Sequence, residues 1–142
     1  MSFVKAARLP ETEAGARALL ARLPATIDDR KRVATSSPRE VSYGPGVVVT
    51  VAPLREAAGP DMAMTSYFAR LVTAGGYVVD SHAATGSELL WFSGATRDAG
   101  AAGTPTRVAA VASAKGTWLY GFEAPDAATM DRLLTAFAAA LT

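Results

Sequence analysis

An α+β fold is predicted for this chain: an antiparallel sheet of about six strands carrying amphipathic helices, in the order α-β-β-α-β-β-β-β-α. Three observations predict it. Four β-compatible segments follow one another at hairpin spacing between Tyr77 and Glu123. Segments on either side of them repeat apolar residues at helical spacing. Gly and Pro punctuate the boundaries between the two kinds of segment. With 142 residues, half of them apolar, the chain is expected to form one domain over 1–142 and to bury a core without metal or disulfide staples.

The elements follow in order. Between Glu11 and Leu23, Thr12 is suited to an N-cap and Glu13 to a helix start, while Ala16, Leu19, Leu20 and Leu23 line one side; Pro24 stops the helix. Arg30 to Ser36 is weakly β-compatible, and Glu40 to Tyr43 alternates, with Val41 and Tyr43 on one face. Gly44-Pro45-Gly46 turns the chain into Val47-Val48-Val49-Thr50-Val51, a β-branched run of the kind that lies in a sheet covered on both faces, ended by Pro53. A second helix is expected from Asp61 to Thr73, with Met64, Tyr67, Phe68, Leu71 and Val72 as its apolar stripe and Gly75-Gly76 as its stop. Strands follow at Tyr77–Ser81, Glu88–Ser93, Thr106–Ser113 and Thr117–Glu123, the last two joined tightly through Ala114-Lys115-Gly116. The stretch from Gly94 to Pro105 reads as a long loop. Pro125 and Asp126 open a final helix striped by Met130, Leu133, Leu134, Phe137, Ala138 and Leu141.

The alphabet limits the chemistry. There is no Cys, Asn or Gln, so thiolate nucleophiles, Cys-based metal sites and side-chain amides in an oxyanion hole are excluded. His82 is the only imidazole, which removes every two-histidine constellation. By strict alternation Asp80 and His82 share a strand face while Ser81 points away from both; the pair reads first as a polar strand end facing water, and otherwise as the one nameable general base, given a substrate cleft above it. Gly44-Pro45-Gly46 is no dinucleotide fingerprint, because a strand rather than a helix follows it. No cofactor or metal site is expected. Net charge is +1, and the one basic cluster, Arg30-Lys31-Arg32, follows Asp28-Asp29, so no nucleic-acid surface is expected. Apolar runs stay far below the roughly 20 residues of a membrane span. Met1–Lys5 has no leader character, and a cytoplasmic location is expected.

The aromatic residues are the remaining candidates. Trp118, Tyr120 and Phe122 share a strand face by period two, and Trp91 is placed in an adjoining strand. They read either as a core stripe under the last helix or as an apolar groove with polar handles for a peptide or ligand. Tyr43, Trp91, Arg97, Trp118 and Tyr120 are therefore the candidate ligand- or partner-binding residues, Arg97 through the long loop. Two functions compete. One is a non-catalytic protein-binding or assembly module with a protein partner or a second copy of itself. The other is a small-ligand-binding protein or small enzyme with an aromatic pocket near Trp91 and Trp118.

Leu23-Pro24 before the first strands, the Tyr67–Leu71 helix leading into Gly76-Tyr77-Val78-Val79, and the closing Met130–Leu141 helix together resemble the PsbP-like family over roughly residues 22–142. That group includes extrinsic photosystem proteins, nuclear-transport cofactors, actinobacterial lipoproteins and chaperones that load type VI secretion effectors. The resemblance implies an adaptor, assembly or chaperone role and assigns no site residue.

Overall fold

A computed structural model describes residues 9–44, 46–53, 69–70, 72–73, 78–83, 92–96, 107–113 and 117–141. Helix α1 (Glu13–Ala21) starts where the Thr12 hydroxyl accepts from the Gly15 N–H at 3.1 Å, and Glu13 sets a carboxylate in the positive first turn. Its buried residues, Ala16, Leu19 and Leu20, are those the apolar spacing selects. Gly15 is required by space: a Cβ there would lie 2.8 Å from that of Pro10. The helix is two residues shorter at each end than its apolar pattern, since Thr12 enters it extended as the N-cap and Leu23 is buried beyond its C-cap.

Strands β1 (Thr26–Ile27) and β2 (Arg30–Lys31) form a separate two-stranded hairpin. It turns on Asp28, whose φ of 56° is tolerated by a short polar side chain. Within the expected strand Arg30–Ser36, only the first two residues belong to a strand, because the Asp28-Asp29 turn pairs them back on Thr26–Ile27. Val33, 54% exposed, makes a single bridge to Ser42. The Asp28 carboxylate pairs with Arg132, tying this hairpin to the last helix.

The main sheet is six-stranded and antiparallel, in the order β3-β4-β8-β7-β6-β5. Its members are β3 (Glu40–Ser42), β4 (Val48–Pro53), β5 (Val78–Ala83), β6 (Phe92–Thr96), β7 (Arg107–Ala112) and β8 (Trp118–Ala124). Gly44 and Gly46, with φ of 107° and 81°, supply the left-handed backbone of the β3–β4 turn. The chain then crosses to the far edge and returns through β5, β6 and β7, so that β8 enters between β7 and β4. Strand β8 is thus paired along both edges and is the axis of the molecule.

Three expectations are corrected. Strand β6 continues past Ser93: Gly94, Ala95 and Thr96 pair with Ala109, Val108 and Arg107 instead of opening a loop, while Glu88–Trp91 and residues 97–105 lie outside the described residues. Small residues contribute little core, but their backbones complete a ladder when β5 and β7 flank them. Strand β4 is covered on one face only; Val49 and Val51 are buried while Thr50, Ala52 and Pro53 are exposed, since β4 lies next to the short edge strand β3. Val72 is 46% exposed rather than part of a buried stripe. Ala69, Arg70, Val72 and Thr73 are helical, with the Thr73 hydroxyl donating to the Ala69 carbonyl at 2.8 Å; the rest of the expected Asp61–Thr73 helix lies outside the described residues.

Helix α2 (Ala127–Ala140) covers β8. Phe137, fully buried, meets Phe122 edge-to-face at 4.9 Å between ring centroids and Tyr120 at 5.6 Å. Its N-cap is Asp126, whose carboxylate accepts from the Thr129 N–H at 2.7 Å. Hydrogen bonding from Thr129 is the main cause holding the Asp126 carboxyl below its ordinary range. Asp126→Ala is expected to cost about 1 kcal/mol in a urea titration at neutral pH. A carboxylate held low when folded stabilises above about pH 3.9 and loses that effect as pH falls through its folded value. The stability gap between variant and wild type therefore narrows in acid; a gap independent of pH would show that this carboxylate does not act as the cap.

Candidate functional site

The polar ends of Tyr43, Trp118 and Tyr120 all go to main-chain carbonyls flanking α1. Tyr120 is fully buried, and its hydroxyl donates to the Pro10 carbonyl at 3.0 Å. One turn of sheet away, the Trp118 indole Nε1 donates to the Glu11 carbonyl at 2.9 Å. Tyr43, buried at the end of β3, donates its hydroxyl to Pro24 at 2.7 Å, beyond the other end of the helix. The segment before α1 and the segment after it are thus pinned to the sheet by three aromatic donors.

Charge and hydroxyl groups complete the clamp. The Thr117 hydroxyl donates to the Glu11 carboxylate. Arg39 reaches Glu13 in the first turn of α1 through both Nε, at 2.9 Å, and Nη2, and its guanidinium carbon lies 5.5 Å from the Trp118 ring centroid. At the far end of the helix, Arg32 donates to the Leu23 carbonyl at 3.1 Å, and Arg22 Nε to the Ala140 carbonyl of α2 at 3.0 Å. Arg22 thereby joins α1 to the last turn of α2.

Electrostatics agree with this burial. Desolvation, with the negative charge of Glu11 adding to it, pushes the Tyr120 phenol up; burial raises Tyr43 as well, against a smaller lowering by Arg32. A phenol held neutral and donating to a carbonyl is a structural hydrogen bond, since neither tyrosine is poised to give up its proton near neutral pH.

The structure therefore places three of the five candidate binding residues differently from an open aromatic groove. Tyr43, Trp118 and Tyr120 are core side chains, because each buried ring needs a partner for its polar end and the flanks of α1 provide one. Trp91 and Arg97 lie outside the described residues. Among the described residues every buried side-chain nitrogen or oxygen has a hydrogen-bond partner, and no group of three metal-ligating side chains occurs. Sequence spacing gave no sign of Arg39, since residues 13, 39 and 118 meet only through the fold.

The Asp80–His82 pair also changes. The register of β5 against β6 shifts between Val79 and Ser81, so a bulge falls at Asp80 and strict alternation does not run through it. The same-face argument for a general base rested on that alternation.

Among the described residues, one edge of the sheet has no partner strand. Strand β5 ends the strand order, and among the described residues it pairs with β6 alone. Its first residue, Val78, is 67% exposed. The opposite edge strand, β3, has three residues, and the Val33–Ser42 bridge covers part of it. No described helix is long and apolar enough to cross a membrane. In comparisons with known proteins, the chain matches no family model, no curated protein and no solved structure.

Proposed function

We propose that this chain is a non-catalytic assembly module that pairs through the outer edge of β5, with a second copy of itself as the partner. The edge strand carries this reading: among the described residues β5 has no partner on its outer side, and the strand begins with an exposed valine at the end of a six-stranded sheet. An unpaired edge offers a row of main-chain donors and acceptors, and strand addition is a recurrent way of satisfying them. The asymmetry of the two edges favours a closed pair. A two-fold contact of β5 with β5 uses up that edge in both copies, while the short, bridged β3 offers little for further growth. The bulge at Asp80 interrupts the edge and restricts the registers available, which favours one pairing over open-ended aggregation.

The resemblance to PsbP-like proteins, whose members act mostly as adaptors, assembly factors or chaperones, supports the same class of function. So does an alphabet with one histidine and no cysteine.

Light scattering tests the proposal. Wild-type mass is expected to rise towards twice 14.6 kDa with concentration, and Val78→Lys, which places a charge on the edge, is expected to remain monomeric with an unchanged far-UV spectrum. A wild-type monomer at all concentrations up to about 1 mM (a limit equivalent to roughly −4 kcal/mol of association) overturns it, as does a dimer indifferent to Val78→Lys.

A further inference from the structure

A wide-mouthed cleft of about 640 Å³ lies between the C-terminal half of α1 and residues 32–41. It is remote from β5 in the strand order, and pairing at that edge does not account for it. Its wall carries Arg17 and Arg32 from one sign of charge, Glu40 from the other, and the hydroxyls of Thr35, Ser36 and Ser37.

The charged groups are spaced, not spent on one another. Neither Arg17 nor Glu40 has a side-chain ion pair or hydrogen bond among the described residues, although both face the same cleft. Opposite charges lining one cavity without pairing leave a cation and an anion available to a ligand that carries both.

The wall is also held in place. Arg32 is fixed by its donation to the Leu23 carbonyl at 3.1 Å, and the Thr35 hydroxyl lies 3.0 Å from the Ser37 carbonyl and 3.1 Å from that of Glu40. The Ser37 hydroxyl oxygen accepts from the Arg39 N–H at 3.2 Å, which leaves its own proton free to donate. A preformed set of this kind loses little freedom on binding.

From this arrangement we infer that the cleft binds a small zwitterion bearing a free carboxylate and a free ammonium group, an amino acid or short peptide. Guanidinium groups match a carboxylate through paired N–H donors. Glu40 receives the ammonium group, and the serine and threonine hydroxyls take the polar body between the two charges. The volume lies within the range of small-molecule sites.

The test is titration of the ¹⁵N-labelled full chain, followed by amide shifts, with L-serine and triglycine as zwitterions of two lengths. Acetate and ethylamine at equal ionic strength serve as single-charge controls. Saturable shifts centred on Arg17, Arg32 and Ser36–Glu40 are expected with at least one zwitterion, and the response of serine against triglycine reports which length the cleft takes. Arg17→Ala, on an exposed helix face, is expected to weaken binding at least 10-fold without altering the fold. Glu40→Gln is expected to weaken the zwitterion and leave acetate unchanged. Shifts that do not saturate with either zwitterion, acetate binding as tightly as both, or zwitterion binding insensitive to Arg17→Ala would each overturn the inference.

Discussion

Phe137→Ala lowers the free energy of unfolding by about 3–5 kcal/mol. The ring is fully buried on the inner face of α2, against Phe122 and Tyr120 of the central strand. Truncation removes its transfer free energy and both aromatic contacts, and it opens a void between a helix and a strand that is paired along both edges. Because β8 is held by β4 and β7, it cannot move in to close that void, which puts the loss toward the upper end of the range. A domain of this size has about 5–15 kcal/mol in total, so the variant is at best marginally folded. Urea denaturation followed by far-UV circular dichroism reads the effect. Ala139→Ser, on the exposed side of the same helix, serves as the control and should stay within about 0.5 kcal/mol. A Phe137→Ala loss below about 1 kcal/mol would mean that α2 is not the principal cover of β8.

The stripe containing Phe137 was legible in the sequence because the helical period places Met130, Leu133, Leu134 and Phe137 on one side, and all four are buried. Thr12 as a cap, the start of the last helix at Pro125-Asp126, the Gly44/Gly46 turn and the β7–β8 hairpin were legible for the same reason: each is decided by residues within a few positions of one another. Failures came where a distant partner decides. Gly94–Thr96 is a strand because β7 lies beside it, and Thr50 is exposed because β4 sits near the sheet edge. Of the candidate site, the shared face of Trp118, Tyr120 and Phe122 could be read from a period of two. The destinations of their polar groups could not, since Pro10 and Glu11 are more than 100 positions away. Arg17 and Glu40 of the cleft are likewise isolated charged letters in the sequence, and only the turn of the chain after α1 brings them to one wall.

Trp118 separates a clamp from a binding surface. Its indole is 9% exposed, donates to the Glu11 carbonyl and lies beneath the Arg39 guanidinium, which in turn is paired to Glu13. Trp118→Ala removes the buried ring, its hydrogen bond and its contact with Arg39 at once and is expected to cost about 3–5 kcal/mol. The consequence is not confined to β8: with the indole gone, the segment before α1 loses one of its anchors to the sheet and still holds the Tyr120 and Thr117 hydrogen bonds. Amide hydrogen exchange in α1 should therefore quicken more than exchange in the β4–β8 ladder, because the helix loses an anchor while the ladder keeps its main-chain bonds. Trp118→Phe retains most of the buried ring and loses the N–H donor, for an expected cost of about 1 kcal/mol and a smaller change of the same kind in α1. If Trp118→Ala instead stays within about 1 kcal/mol of wild type, with α1 exchange unchanged and self-association abolished, the indole is part of the contact surface and β5 is not the edge that joins two copies. Graded loss of stability, with exchange quickening first in α1, establishes that these aromatics hold the helix against the sheet and leaves partner binding to the open edge.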